Sequence, residues 1–231
     1  MDIIKTISQE LNIKTWQTEA AIKLIDEGNT IPFIARYRKE VTGSLNDEVL
    51  RQFHERLLYL RNLEDKKAQV ISSIEEQGKL TPELKKAIEA AETMVAVDDL
   101  YRPYRPKRRT RATIAKEKGL EPLANILLLQ MTKKPLIEEA AAYISDEKGV
   151  ASAEEALEGA KDILAEMISD SADYRTYIRR VTENEGKIVS KARDEKEKSV
   201  YENYYDYEEA VNKIPGHRIL AINRGEKEKF L

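Results

Sequence analysis

The stretch SLNDEVLRQFHERLLYLRNLEDKKAQVISSIEEQG, residues 44–78, decides the fold. Leu50, Phe53, Leu57, Leu60, Ile71 and Ile74 recur at helical spacing and place one apolar stripe along one face. Ser44 and Asp47 fit a capping box at its start, and Gly78 fits a left-handed stop at its end. About 30 residues at ~1.5 Å each predict a rod of roughly 45 Å. A small domain does not need such a rod, so the pattern predicts an elongated scaffold around one long central helix.

Helix signals continue on both sides. Trp16, Ala20, Ile22, Leu24 and Ile25 mark a helix over residues 15–27, stopped by Gly28. Pro32 opens a short helix to about Lys39, with Phe33 and Tyr37 on one face, and Thr42-Gly43 breaks it. Thr81-Pro82-Glu83 combines a hydroxyl cap, an N1 proline and an acid in the first turn. A helix through about Glu92 follows, then a shorter piece over 94–101. Beyond residue 111, Leu120, Leu123, Ile126, Leu127 and Met131 form one stripe, and Ile137, Ala141 and Ile144 a second. Ser152 with Glu155 is another capping box, ahead of Leu157, Ala160, Ile163, Leu164 and Met167. Tyr174, Ile178, Val181 and Ile188 continue helically. Residues 190–199 read as a weakly helical charge run, and 217–224 as a last helix stopped by Gly225. The expected fold is all-α: a helical scaffold over 1–111, an inserted compact sub-bundle over 112–172, and returning helices over 173–231. Phe230-Leu231 starts a further apolar segment, so the sequence is expected to lead into a C-terminal part beyond it.

Composition narrows the chemistry. The 231 residues hold no cysteine, which excludes disulfides and thiolate metal sites and fits a reducing compartment. Two histidines, His54 and His217, cannot make a His-rich metal site, and Walker or Rossmann glycine patterns are missing. His54 reads as a surface or satisfied histidine, His217 as a helix-start residue, and Asp98-Asp99 as helix-end capping. The expectation is a chain without catalytic residues, metal or cofactor. The N-terminus has no secretory apolar stretch, and no run reaches the ~20 apolar residues of a membrane span, which predicts a cytoplasmic protein. Net charge is -3, so affinity for nucleic acid has to come from local patches.

The strongest patch is residues 101–111, with two prolines, six basic residues and no acid. Pro103 and Pro106 disfavour helix in the residue before each, which predicts an extended connector. Arg102, Arg105, Lys107, Arg108, Arg109 and Arg111 are candidate phosphate contacts, and Tyr101 and Tyr104 candidate stacking platforms for unpaired bases. Residues 138–173, with eleven acids and two lysines, offer the same cations an internal partner. Both readings of the connector stand. Arg36, Arg38 and Lys39 read as a salt-bridged, solvated surface. Helix 174–181, with Arg175, Arg179 and Arg180, is the one piece suited to a major groove. Its neighbours 120–131 and 152–170 are neutral or acidic, which argues against sequence-specific reading. Tyr201, Tyr204, Tyr205 and Tyr207 read as a partner surface or as the packed aromatic face of a helix.

Three phrases carry a family resemblance: IPFIARYRKEVTG at 31–43, LYRPYRPKRRTRA at 100–112 and GHRILAINRGE at 216–226. In this order and spacing they resemble the N-terminal part of the Tex family of bacterial transcription accessory proteins. The resemblance spans essentially the whole sequence. It implies a cytoplasmic protein linked to transcription and RNA, similar to the core of a eukaryotic elongation factor. It also implies a helical N-terminal part with a helix-turn-helix-like element, followed by a nuclease-like YqgF domain, a helix-hairpin-helix element and an S1 RNA-binding domain. The sequence is expected to stop before those three, so that the main RNA-binding module lies outside it. The implied partners are RNA or single-stranded DNA and the transcription or translation machinery.

Overall fold

The structure, a computed structural model, describes residues 2–231. It is mainly helical, with one two-stranded sheet. The chain divides into two compact units, Met1–Pro106 and Lys107–Leu231.

The first unit contains α1 (Ile3–Glu10), α2 (Thr15–Asp26), α3 (Ile31–Tyr37), α4 (Lys39–Thr42), α5 (Asp47–Glu76), α6 (Pro82–Ala90) and α7 (Met94–Tyr101). Helix α1, which the apolar spacing of the sequence did not announce, is capped at its start by Asp2 accepting from the Lys5 amide at 3.0 Å. The 30-residue α5 is the expected rod. Its cap is Asn46, which accepts from the Val49 amide at 2.8 Å, and not Ser44. Leu45 is buried in the core, so the chain turns inward there and enters the helix only afterwards. Gly78, left-handed at φ 66°, follows its last turn. Thr81 caps α6 as its spacing predicts, accepting from the Leu84 amide at 3.2 Å.

Leu50, Phe53, Leu57, Leu60, Leu63, Lys67, Val70 and Ile74 are the buried residues of α5. Steps of three and four keep all eight on one seam, against Ile7, Ala21, Leu24, Ile34, Ile88 and Val97 from the surrounding helices. Each fully buried Leu or Phe contributes about 1.5–3 kcal/mol, so packing rather than propensity holds this long helix.

Two arginines tie α5 to its neighbours. Arg56 donates to both Glu10 carboxylate oxygens at 2.6 Å, and Arg61 to both Asp26 oxygens at 2.7 and 2.9 Å. The hydrogen bonds from these arginines hold both carboxyls below their ordinary values. A depressed folded-state value gives stability that is present above about pH 4 and is lost as pH falls through the folded-state values. Both pairs are partly solvent-exposed, so each contributes no more than about 1 kcal/mol. Glu10→Gln with Asp26→Asn is therefore expected to be slightly less stable at neutral pH. Its loss of stability between about pH 5 and 3 is also expected to be shallower in urea titrations. A double variant with an unchanged acid slope would show that these pairs carry no linkage.

The second unit contains α8 (Arg111–Glu117), α9 (Glu121–Leu129), α10 (Leu136–Ala141), α11 (Ala153–Asp170), α12 (Ala172–Glu185), β1 (Lys187–Lys191), β2 (Asp206–Ala210) and α13 (Gly216–Lys227). Ala112, Ala115, Leu120, Leu123, Ala124, Ala156, Ala160 and Ile163 are among its core residues. Small side chains let α8 and α11 approach closely. A Cβ added at Gly159 would lie 2.4 Å from Leu120 Cδ1 and 3.3 Å from Ala115 Cβ. Ser152 caps α11, accepting from the Glu155 amide at 3.2 Å, while Glu155 reaches the Ala151 amide at 2.9 Å.

Several boundaries differ from the expectation. Met131 lies outside α9, because Gln130 adopts a left-handed conformation and ends that helix early, and Ile144 lies outside α10, which ends at Ala141. Ile188 is not helical: β1 pairs antiparallel with β2, with Lys187 opposite Ala210 and Lys191 opposite Asp206. The charge run after Lys191 is irregular chain, and none of the four clustered tyrosines lies on an α-helix. Tyr201 is buried beside Phe230, with ring centres 5.9 Å apart, and Tyr204 meets Tyr207 edge-on at 5.2 Å. Gly225 does not stop α13 but lies within it. A Cβ there would fall 2.6 Å from Leu231 Cδ1 and 3.1 Å from Tyr201 Cγ, so close approach explains the glycine.

Candidate nucleic-acid interface

The basic segment begins where α7 ends. Thr93 caps α7, and Pro103 allows only a 3-10 turn, Arg102–Tyr104, beyond it. The Tyr101 hydroxyl is 2.9 Å from Ser73 Oγ on α5. Gln77 donates to the Tyr104 carbonyl at 3.0 Å. Both tyrosine rings are half-buried against the core of the first unit, where they anchor the turn. Arg102 and Arg105 are exposed. Among the described residues, Arg105 has no acidic partner.

In the second unit Lys107, Arg108, Arg109 and Arg111 meet three different environments. Lys107 binds Asp170, and Glu166 at 3.3 Å. Thr110 also donates to Glu166 at 3.1 Å and caps α8 by accepting from the Thr113 amide. Asp170 lies at the C-terminal end of α11, where the helix dipole disfavours a carboxylate, and the Lys107 ammonium offsets that cost. Arg109 pairs with Glu117 at 2.6 Å and Arg111 with Asp162 at 3.1 Å. Arg109 remains 67% and Arg111 85% exposed at the side chain, so both pairs are in water. Arg108 is exposed and, among the described residues, has no acidic partner.

The structure thus keeps the tyrosines on the core, locks Lys107 into an acidic pair, and leaves Arg105 and Arg108 open to solvent. The partner acids were legible only as a net acidic stretch over 138–173, and Glu117 lies outside even that. On α12 the Arg180 guanidinium lies over the Tyr177 ring at 5.8 Å, and none of the helix's residues is buried. No helix among the described residues is long and apolar enough to cross a membrane. Nor does any group of three or more His, Cys, Asp or Glu among them have the arrangement to hold a metal ion.

Residues 1–75 match the Tex-like protein N-terminal domain and residues 131–231 the Tex central region-like family. The uncharacterized protein YdcI of Bacillus subtilis (strain 168) is 49% identical over 228 residues, 97% of this chain and 32% of that protein. Transcriptional accessory protein Tex of Neisseria gonorrhoeae is 47% identical over 233 residues, 100% of this chain and 30% of that protein. Human S1 RNA-binding domain-containing protein 1 is 32% identical over 240 residues, 100% of this chain and 24% of that protein. The chain spans about a third or less of the length of these curated relatives. With two Tex-specific regions matched in order along it, the chain belongs to the Tex family.

Proposed function

We propose that this chain is a non-catalytic helical binding module of an RNA-associated transcription accessory protein, working in the cytoplasm. On this reading it touches nucleic acid weakly, through phosphates and without reading sequence. Residues 1–111 form the scaffold and connector, 112–172 an inserted bundle and 173–231 the return. Most of the affinity for RNA comes from other parts of a longer protein beside the transcription or translation machinery.

One observation carries the reading: Arg105 and Arg108 are exposed and without an acidic partner among the described residues, in a segment of six cations and no acid. Guanidinium groups offer forked donors that match phosphate oxygens. Arg109 and Arg111 can join them, since exposed ion pairs contribute roughly 0–1 kcal/mol and exchange readily for phosphate. Lys107 and the two tyrosines hold the strap in place. The names of the Neisseria gonorrhoeae and human relatives, a transcriptional accessory protein and an S1 RNA-binding domain-containing protein, support the same direction.

Fluorescence anisotropy with labelled single-stranded RNA and DNA, at about 50 and 200 mM salt, tests it. The expected result is weak, similar binding of both strands that falls steeply with salt. Arg105→Ala with Arg108→Ala is expected to reduce the slope of log K against log salt by about 1.4, roughly 0.7 for each lost phosphate contact on a single strand. A second reading, a purely structural or protein-interaction module, is favoured by the internal pairing of Lys107, Arg109 and Arg111. Absent binding at low salt, or an unchanged slope in the double variant, would decide for it.

A further inference from the structure

A second basic site lies elsewhere in the first unit. A cleft of about 570 Å³ opens between α3, α4 and the start of α5, with Arg36, Lys39 and Arg51 in its lining. That volume is in the range of small-ligand sites, roughly 300–1,000 Å³. Ala35 and Leu45, both buried, give it an apolar wall beside the cations.

The three cations are not equivalent. Arg51 is held by Asp47 at 2.7 Å. Arg36 and Lys39 are exposed and, among the described residues, have no partner, so the ion-paired surface expected from their sequence does not form. Arg38, between them in sequence, is used elsewhere: its guanidinium lies 5.0 Å from the Phe33 ring centre and donates to the Tyr37 carbonyl at 2.9 Å. The mouth also holds the first turn of α5. Asn46 caps the Val49 amide, while the amides of Asp47 and Glu48 have no acceptor within the helix. The positive end of a 30-residue helix dipole adds to the field there. Asp47 is the opposing charge in the lining, and Arg51 already covers it.

We propose that this cleft binds a phosphate monoester on a ligand of nucleotide size. Such a group carries about -1.5 to -2 charge at pH 7 and three acceptor oxygens, against the single charge of a carboxylate. Two free cations and the open amides of one helix end answer that charge and that number of acceptors. The apolar wall takes the uncharged remainder. The monoester can come from a free nucleotide or from the 5′ end of a single strand.

The test is a titration of the 15N-labelled chain, followed by NMR at the Asp47 and Glu48 amides and the Arg36 side-chain Nε–H. The probes are adenosine 5′-monophosphate, adenosine, and one RNA trinucleotide with a 5′-phosphate or a 5′-hydroxyl. Adenosine 5′-monophosphate and the phosphorylated trinucleotide are expected to shift these signals, and adenosine and the hydroxyl trinucleotide to leave them in place. Tighter binding of the phosphorylated trinucleotide assigns the source to strand ends, and tighter binding of the monophosphate to free nucleotide. Arg36→Gln with Lys39→Gln replaces two exposed side chains and is expected to keep the fold, read from unchanged α6 and α7 signals, while weakening binding at least about tenfold. No shift up to about 10 mM monophosphate, equal shifts with adenosine, or full binding by the Gln variant overturns the proposal. The Arg105→Ala, Arg108→Ala chain is expected to bind the monophosphate normally, so this site and the connector succeed or fail separately.

Discussion

Phe53→Ala is expected to destabilise the Met1–Pro106 unit by about 3–5 kcal/mol. Phe53 is fully buried midway between Leu50 and Leu57 on the seam of α5, where α1, α3 and α7 also pack. Truncation removes the transfer energy of the ring and leaves a cavity whose lining loses dispersion contacts. Well-packed helices on several sides limit how far the gap can close. Against a typical domain stability of about 5–15 kcal/mol, the loss is a large fraction of the whole. Urea unfolding followed by Trp16, the one tryptophan and a residue of this unit, reads it as a lower midpoint at constant slope. Leu58→Ala, on the same helix but 46% exposed, is expected to stay within about 0.5 kcal/mol. If the two substitutions cost the same, the seam does not hold this unit.

Lys67 gives the second large effect. It occupies a seam position between Leu63 and Val70 and is 3% exposed. Its ammonium donates to Glu64 Oε1 at 2.8 Å and to the Glu89 carbonyl at 2.9 Å, tying α5 to the end of α6. Lys67→Ala removes the aliphatic stem, leaves the carbonyl without its donor and Glu64 without this cation. Glu64 is partly solvated, so we expect about 2–4 kcal/mol rather than the full cost of breaking a buried pair. Lys67→Met keeps the stem and its packing, and is expected to recover more than half of that loss. The same urea titration measures both. Equal losses for Ala and Met would place the whole effect in the charge, and no loss in either would mean the buried ammonium contributes nothing net.

These residues also show what could be read in advance. The seam of α5 was legible from Leu50 to Leu60 because a helix repeats locally and apolar residues three and four apart share a face. Caps were legible for the same reason: Thr81 and Ser152 act on amides within one turn. Lys67 was not legible, since its burial depends on a carbonyl 22 residues away. The hairpin of β1 and β2 was missed because five-residue strands pair across an irregular connection and carry no period long enough to compete with helical runs. Gly225 was misread because a glycine needed for close approach looks the same in sequence as one needed for a turn.

The candidate site divides the same way. Clustered arginines and prolines announced a basic, non-helical strap, since charge and the proline ring are properties of the residues themselves. Which cations stay free was decided by carboxylates far along the chain: Asp170, 63 residues from Lys107, closes one of them off, while Arg105 and Arg108 meet none. The long α5, the Thr81 and Ser152 caps and the basic segment therefore belong to the sequence, because each is set within a turn or two of chain. The buried lysine, the hairpin and the open cations belong to the tertiary structure, because each depends on which distant group folding brings within hydrogen-bonding reach.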